Sequence, residues 1–221
     1  MKNSPGKTTC FALTTAVAFV AQSQGSLIIT GVFDGPLSGG LPKGIELYAT
    51  TAIPDLSIYG VSSANNGGGA TGTPEFTLSG SATVGEFIYL ASESSQFQAF
   101  LGFLPNFTDS AANINGDDAI ELFKNGVVIE IFGDVDVDGN GENWEYLDGW
   151  ASRNSETEVE SSIFELTNWS FSGANALDGE SNNADATTPI PIGTYTSAPV
   201  PEPTTALLGS LALFGLLRRR R

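Results

Sequence analysis

Short apolar runs alternate with clusters of glycine, proline, asparagine and aspartate along the middle of the chain. Within several runs apolar and polar residues alternate, as in residues 44–49, where Glu46 and Tyr48 are interleaved with isoleucine and leucine. Alternation of this kind, bounded by turn residues, predicts short β-strands. The predicted strands are residues 26–33, 44–49, 56–61, 75–78 and 87–91, with one or two closing strands at residues 163–166 and 168–171.

A β-hairpin is predicted where residues 119–122 and 127–132 flank the sequence Lys124-Asn125-Gly126. Asparagine followed by glycine supplies the two positive φ angles that a tight hairpin turn requires. This is the clearest local signal in the chain.

Three segments are not predicted as strands. Residues 96–107 have mixed apolar spacing, which favours a short helix ended by Pro105. Residues 65–74 are so rich in glycine that we expect a mobile loop. Residues 175–199 contain asparagine, aspartate, alanine, threonine and proline with few apolar residues, which predicts an extended stalk, and we assign residues 173–199 as a polar linker.

The charge balance is strongly acidic outside the two ends of the chain. Among nine basic residues, Lys43, Lys124 and Arg153 alone lie between the first residues and the C-terminal tail, whereas all but one of the 25 acidic residues lie there. A surface of this sign repels phosphate backbones and predicts no nucleic-acid partner. It attracts divalent cations, and it also suits a heavily solvated exported surface.

Histidine is absent and Cys10 is the sole cysteine. This composition excludes Ser-His-Asp and Cys-His catalysis, zinc sites with the usual ligands, and an internal disulfide. An enzyme of this composition would depend on carboxylates and bound metal.

Residues 1–24 have the layout of a secretory signal peptide. Lys2 and Lys7 precede an apolar run at residues 11–20, and small or polar residues follow it. Cys10 is expected to leave with this peptide, so the mature protein would have no thiol.

An acidic loop at residues 134–145 has the spacing of a calcium-binding loop. It reads D-V-D-V-D-G-N-G-E-N-W-E, with glycine at the sixth position and glutamate at the twelfth. The candidate calcium ligands are Asp134, Asp136, Asp138, the carbonyl of Asn140, Glu142 through water, and bidentate Glu145. No amphipathic helices flank the loop, and Gly141 stands where an apolar residue is usual, so an unliganded acidic turn is the alternative.

Three aromatic residues and two aspartates near this loop are further candidates. On a strand, Trp144, Tyr146 and Trp150 would share one face and could stack on sugar rings, although aromatic residues so placed are more often core. Asp117 and Asp118 could form an acid/base pair, or they could cap the entry to the hairpin.

Several segments in order resemble the lamin-tail domain family. They are LIITGVFDG at residues 27–35, KGIELYATTAIPDLSIYGV at 43–61, GEFIYLASE at 85–93, and NINGDDAIELFKNGVVIEIFG at 113–133. The resemblance spans residues 26–153 and implies an all-β, immunoglobulin-like β-sandwich, which we assign to residues 26–172. The segment at residues 134–153 is similar to the ending of bacterial members, and this similarity weakens the calcium interpretation, because the family could keep these residues for folding alone. The histidine and arginine residues of the nucleases attached to some members are missing, so no catalytic activity is implied.

The C-terminus closely resembles a PEP-CTERM sorting signal. Its parts are Val200, Pro201, Glu202 and Pro203, an apolar run, and Arg218, Arg219, Arg220 and Arg221. The resemblance implies an exosortase-type membrane protease that cuts near Pro-Glu-Pro in a Gram-negative bacterium. The apolar run predicts a short hydrophobic helix, below the roughly 20 residues of a full span, with the arginines at the cytoplasmic face. An ordinary tail anchor is the alternative.

Together these features predict an exported, non-catalytic protein that begins as an inner-membrane-tethered precursor and ends at the cell surface or outside the cell. It would bind extracellular polysaccharide or a surface protein, or serve as a structural piece, with calcium as the candidate cofactor. The alternative is a hydrolase of extracellular polysaccharide that depends on two carboxylates.

Overall fold

The structure, a computed structural model, describes residues 27–157 and 162–198. The predicted signal peptide at residues 1–24 and the sorting signal at 200–221, with its hydrophobic helix, lie outside these ranges. Among the described residues, no helix combines the length and the apolar character needed to cross a bilayer.

The described chain consists of ten strands, one short α-helix and four 3-10 turns. The strands are β1 (Leu27–Leu37), β2 (Leu41–Ala49), β3 (Tyr59–Ala64), β4 (Phe76–Thr77), β5 (Phe87–Ala91), β6 (Phe107–Thr108), β7 (Ala119–Lys124), β8 (Val127–Phe132), β9 (Gly149–Arg153) and β10 (Trp169–Phe171). The helix is α1 (Ser95–Leu101), and the 3-10 turns are Leu56–Ile58, Asn65–Gly67, Ser110–Ala112 and Leu166–Asn168.

The strands form two sheets. A six-stranded sheet, which we call the major sheet, has the order β10-β9-β1-β2-β5-β6, and a four-stranded minor sheet has the order β4-β3-β7-β8. The pairs are antiparallel except for β5 and β6, which are parallel. The prediction of an all-β fold is confirmed at this level.

Strand β1 crosses the centre of the major sheet and changes its inward face at a β-bulge. Leu27 and Ile29 point into the core between the sheets, and after the register shift at Thr30 it is Val32 that does so. One extra residue inverts the alternation of a strand, because side chains repeat every two residues. Ile28 and Phe33 therefore point to the outer face, where separate apolar clusters surround them.

The outer face of the major sheet is covered by α1 and by residues 174–198, which we call the C-terminal cover. Phe97 and Phe100 of α1 pack there, and Leu177, Ile190 and Tyr195 of the cover are buried. The prediction of an extended polar linker is wrong for these residues. Their few apolar side chains are far apart in the sequence, but they pack against the apolar outer face of the major sheet.

Several local predictions are confirmed and others need correction. Asn125 and Gly126, with φ angles of 52° and 76°, connect β7 and β8 as the hairpin signal predicts. Helix α1 ends at Gly102, whose φ of 87° is a left-handed helix end, and not at Pro105. Residues 163–166 form no strand, and the strand predicted at residues 56–61 starts as a 3-10 turn capped by the Asp55 carboxylate.

A buried ion pair joins the two sheets at β8 and β9. The Arg153 guanidinium pairs with the Glu130 carboxylate, and both side chains are almost fully buried. The backbone N–H of Ile29 in β1 donates to Glu130 Oε2 at 2.7 Å. Arg153 Nε donates to the backbone carbonyl oxygen of Ile29 at 2.6 Å. The guanidinium also lies over the Trp169 ring, 4.7 Å from its centroid. Three strands are thereby fixed by one pair of charges.

We predict that Glu130→Gln lowers the free energy of unfolding by about 3–5 kcal/mol, because it leaves the Arg153 charge buried without a counter-charge. Denaturant unfolding followed by tryptophan fluorescence measures the change. The double variant Glu130→Leu with Arg153→Met should recover part of the loss, since it removes both charges together but also removes the hydrogen bonds to the Ile29 backbone. The exposed control Glu165→Gln should stay within about 0.5 kcal/mol of the wild type. If Glu130→Gln and Glu165→Gln changed the free energy of unfolding by the same amount, the stabilising role of the ion pair would be contradicted.

Candidate functional site

The acidic loop follows β8 and is shaped by hydrogen bonds from its own backbone. The N–H of Asp136 donates to Asp134 Oδ1 at 3.0 Å, and the N–H of Asn140 donates to Asp138 Oδ1 at 3.0 Å. Glu145 Oε2 accepts from the Gly141 N–H at 3.1 Å. Short acidic side chains commonly stabilise turns in this way.

Three of the predicted calcium ligands, Asp134, Asp138 and Glu145, thus accept hydrogen bonds from the loop's own backbone. Asp134, Asp136, Asp138, Asn140 and Glu142 are exposed, and Glu145 is half-buried. Among the described residues, no group of three or more Asp, Glu, His or Cys side chains is placed to hold a metal ion. Calcium binding by the loop stays a prediction, and it would require several carboxylates to leave their N–H donors.

The loop packs on Trp144 and on the segment before β7. Gly133 and Gly139 contact the Trp144 ring so closely that a Cβ atom on Gly139 would lie 2.5 Å from it. The Gly139 N–H donates to the Asp117 carbonyl oxygen at 3.0 Å. Trp144 is therefore a structural support for the loop.

The three aromatic residues near the loop do not form one exposed strip. Trp144 and Tyr146 belong to the core between the sheets, and the Tyr146 hydroxyl donates to the Asp118 carbonyl oxygen at 2.9 Å. Trp150 packs in the outer cluster, where its indole N–H donates to the Thr188 carbonyl oxygen at 3.1 Å. The prediction that the three share a face is wrong, because a turn at Asp148, with φ of 40°, precedes β9.

The two aspartates before β7 have different roles. Asp118 is buried, and its two carboxylate oxygens accept from the N–H groups of Asn66 at 2.9 Å and Asn115 at 2.8 Å. It therefore organises two loops, as a cap would. Burial raises the pKa of Asp117, and the neighbouring charges of Asp118, Asp138 and Glu145 raise this pKa further.

The glycine-rich loop at residues 65–74 packs against the acidic loop. A Cβ atom on Gly67 would lie 2.5 Å from the backbone nitrogen of Asp138, and the Gly69 N–H donates to the Val135 carbonyl oxygen at 2.8 Å. Thr71 donates to Glu121 Oε2 from both its N–H and its hydroxyl group, each at 2.8 Å. The prediction of a mobile loop is wrong, because glycine permits the close approach of two backbones.

The C-terminal cover is held to the major sheet by a buried carboxylate in β2. Glu46 Oε2 accepts from the Gly193 N–H at 2.7 Å, and its Oε1 accepts from the Thr30 hydroxyl at 2.7 Å. The Tyr89 hydroxyl also bonds this carboxylate, and burial raises the pKa of Glu46. Sequence reasoning missed this role, because Glu46 occupies an alternating position that predicts exposure.

Two depressions lie beside Tyr59 at the end of the minor sheet. One, of about 300 Å³, lies among Ile58, Pro74, Phe123 and Gly126. The other, of about 200 Å³, is lined by Asp55 and Lys124, among others. Asp55 is the single carboxylate in either lining, so neither offers the two opposed acids that glycoside hydrolysis needs.

The chain leaves the cover directly into a recognised sequence motif. Residues 199–221 match the family model of the PEP-CTERM protein-sorting motif. Comparisons with curated proteins and with solved structures find no significant match. The sorting motif supports export through a membrane-anchored precursor that an exosortase processes. The lamin-tail resemblance stays a prediction.

We predict that millimolar calcium raises the melting temperature of the protein if residues 134–145 bind the ion, because a ligand that binds the folded state stabilises it. Asp136→Ala should remove this rise, since it deletes one of the proposed ligands. Differential scanning calorimetry with and without calcium measures the effect, and Asp185→Ala outside the loop is the control. An unchanged melting temperature in the wild type would reject the site.

We predict that Glu46 makes the folded protein less stable as pH rises. Its pKa is raised above 4.5 in the folded state. Its stabilising contribution is therefore complete below the ordinary pKa and is lost as pH rises through the raised value. Glu46→Gln should flatten this part of the pH dependence, measured by denaturant unfolding from about pH 4 to pH 8. The exposed control Glu165→Gln should keep the wild-type slope, and an unchanged slope in Glu46→Gln would contradict the assignment.

Proposed function

We propose that the protein is an exported, non-catalytic module that an exosortase-type protease processes and that acts at the cell surface or outside the cell. The observation that carries this proposal is the sorting motif at residues 199–221, which begins directly after the C-terminal cover. The body that precedes the motif is a packed two-sheet structure with its own core. Sorting would thus deliver a complete folded unit.

The body belongs, in this proposal, to the immunoglobulin-like sandwiches of lamin-tail type. The two-sheet architecture and the position of the resembling segments on β1, β2, β5, β7 and β8 support this part. Such sandwiches carry many unrelated activities, so the fold alone does not choose a ligand.

The charge distribution supports a binding or structural role. Lys43 and Arg153 are buried in ion pairs, so Lys124 is the one basic residue of the described chain that is partly exposed. The exposed charged side chains of the body are therefore overwhelmingly acidic. Such a surface suits a partner bearing cations or neutral hydroxyl groups, such as a basic surface protein or a neutral polysaccharide chain.

The alternative, a polysaccharide hydrolase, has weaker support. Its two acids would need to face each other across a cleft that admits a sugar chain. Asp117 and Asp118 are neighbours in sequence, but Asp118 uses both oxygens to accept backbone N–H groups. A carboxylate fixed in this way serves structure and is poorly placed to exchange protons with a substrate.

We predict that replacing Pro201, Glu202 and Pro203 with alanine blocks processing, because the motif would no longer be recognised. The full-length variant should accumulate in the membrane fraction, whereas the wild type should yield a shorter product at the surface or in the medium. Fractionation followed by mass measurement of the C-terminus checks the outcome in cells with and without the processing protease.

Glu165→Gln, outside the motif, is the matched control and should be processed as the wild type is. Identical processing of the alanine variant would contradict the sorting step. Incubating the released product with the extracellular polysaccharide of the same cells tests the other half of the proposal. Shortened polysaccharide chains would show catalysis and would contradict a non-catalytic module.

A further inference from the structure

Lys43 is a buried lysine whose amino group contacts three oxygen atoms. It lies in β2 and is 5 % exposed. Its Nζ donates to Asp34 Oδ1 at 2.7 Å, to the Ile114 carbonyl oxygen at 2.7 Å and to Asn115 Oδ1 at 3.0 Å. One amine, one carboxyl group and one side-chain amide therefore meet at a single point.

Backbone contacts fix the positions of the three residues. Asp34 and Lys43 are directly paired across the β1–β2 hairpin. Asn115 is held because its N–H donates to Asp118 Oδ2 at 2.8 Å. The next residue, Gly116, has a φ of 85°, and a Cβ atom there would lie 2.2 Å from Leu147. The approach of Asn115 to the lysine is thus built into the fold.

This arrangement has the components of an amide-forming reaction. A primary amine is a nucleophile once a neighbouring base has taken its proton. The carbonyl carbon of Asn115 is bonded to the oxygen that Nζ already contacts. Lys43 Nζ lies 3.0 Å from Asn115 Oδ1. Reacting groups held in contact behave as if their concentration were far above that of free molecules. Asp34 is 2 % exposed and contacts the Lys43 amine. Its carboxyl group can therefore accept protons from the amine and return them.

We propose that Lys43 and Asn115 form an intramolecular isopeptide bond, with Asp34 as the general acid and base. The inference goes beyond the proposed function and does not depend on it. It concerns a covalent modification that the folded protein performs on itself, without a cofactor.

The reaction balances in atoms and charge. Asp34 accepts a proton from the Lys43 ammonium, and the neutral Nζ attacks Cγ of Asn115. Asp34 then gives its proton to Nδ2 and receives one from Nζ, the bond between Cγ and Nδ2 breaks, and its electron pair leaves with ammonia. The products are a neutral amide between Lys43 and Asn115, a protonated Asp34 and one ammonia molecule. Asn115 is exposed, so ammonia can leave to solvent.

The environment of Asp34 suits both of its roles. Burial raises the pKa of Asp34 to about 6, although the hydrogen bond and the charge of Lys43 lower it and Asp148 raises it. A pKa in this range lets the carboxyl group accept and return protons near neutral pH. Once Lys43 has become an amide, its lowering effects are lost. The protonated Asp34 that the reaction leaves can donate a hydrogen bond to the new amide oxygen.

The bond would replace the disulfide that this chain cannot make. Cys10, the sole cysteine, lies in the predicted signal peptide. The link would join β2 of the major sheet to the segment that enters β7 of the minor sheet, closing a loop between residues 43 and 115. Closing a long loop removes conformational freedom from the unfolded chain, as disulfides do.

Tryptic peptide mapping of the denatured full-length wild type tests the proposal. Trypsin does not cut after a lysine whose Nζ is an amide. We expect no cut after Lys43 and a linked peptide extending to Lys124, with a mass lower by one ammonia molecule than the unmodified sequence. A free Lys43, with an unmodified Asn115 peptide, would overturn the proposal. A link between Lys43 and Asp34, with loss of water, would also overturn it.

Three variants separate the roles of the residues. Lys43→Arg keeps the positive charge but should give the full unmodified mass, and Asn115→Ala should be unlinked. Asp34→Asn should also be unlinked, and a linked Asp34→Asn protein would overturn the role of Asp34.

The melting temperature of Asn115→Ala tests the presence of the isopeptide bond independently of the peptide masses. Loss of the bond predicts a fall of roughly 10 °C. Loss of one hydrogen bond alone predicts a fall of only about 2–4 °C, which would count against the bond.

Discussion

The major sheet is apolar on both faces, and the rest of the structure is arranged to cover it twice. The minor sheet covers the inner face, where Leu27, Ile29 and Val32 lie. Helix α1 and the C-terminal cover seal the outer face over Ile28 and Phe33. Burial of apolar area is the main favourable contribution to folding, and the polar-looking cover adds to it through the buried side chains of Leu177, Ile190 and Tyr195.

Buried charges then set how the layers are aligned. Asp34 and Lys43 tie the β1–β2 hairpin to the segment before β7, and Arg153 and Glu130 tie β9 to β8. Each pair thus connects the major sheet to elements of the minor sheet. Apolar packing tolerates sliding, whereas a buried charge must meet its partner, so these contacts select one alignment of the sheets.

The sequence was most informative where local chemistry decides the structure. Asn125 and Gly126 specify a hairpin turn by themselves, and alternation identified most strands of the major sheet. The bulge at Thr30, the burial of Glu46 beneath the C-terminal cover and the docking of Tyr195 depend on residues far away in the chain, and no local pattern predicts them. The calcium-loop spacing of residues 134–145 stays a prediction, and in the structure Asp134 and Asp138 accept hydrogen bonds from neighbouring backbone N–H groups. The meeting of Lys43 with Asn115, 72 residues apart, was equally invisible.

Because Lys43 and Arg153 are both buried, the surfaces of neighbouring copies of the protein carry mostly negative charge. With so few cations left outside, neighbouring bodies repel one another over a range set by dissolved salt, roughly 30 Å at 0.01 M and 10 Å at 0.1 M. A dense layer of these bodies would therefore swell in dilute water and contract as salt is added, because burial of Lys43 and Arg153 leaves the acidic surface with few counter-charges. The surrounding medium would then set the spacing between the bodies.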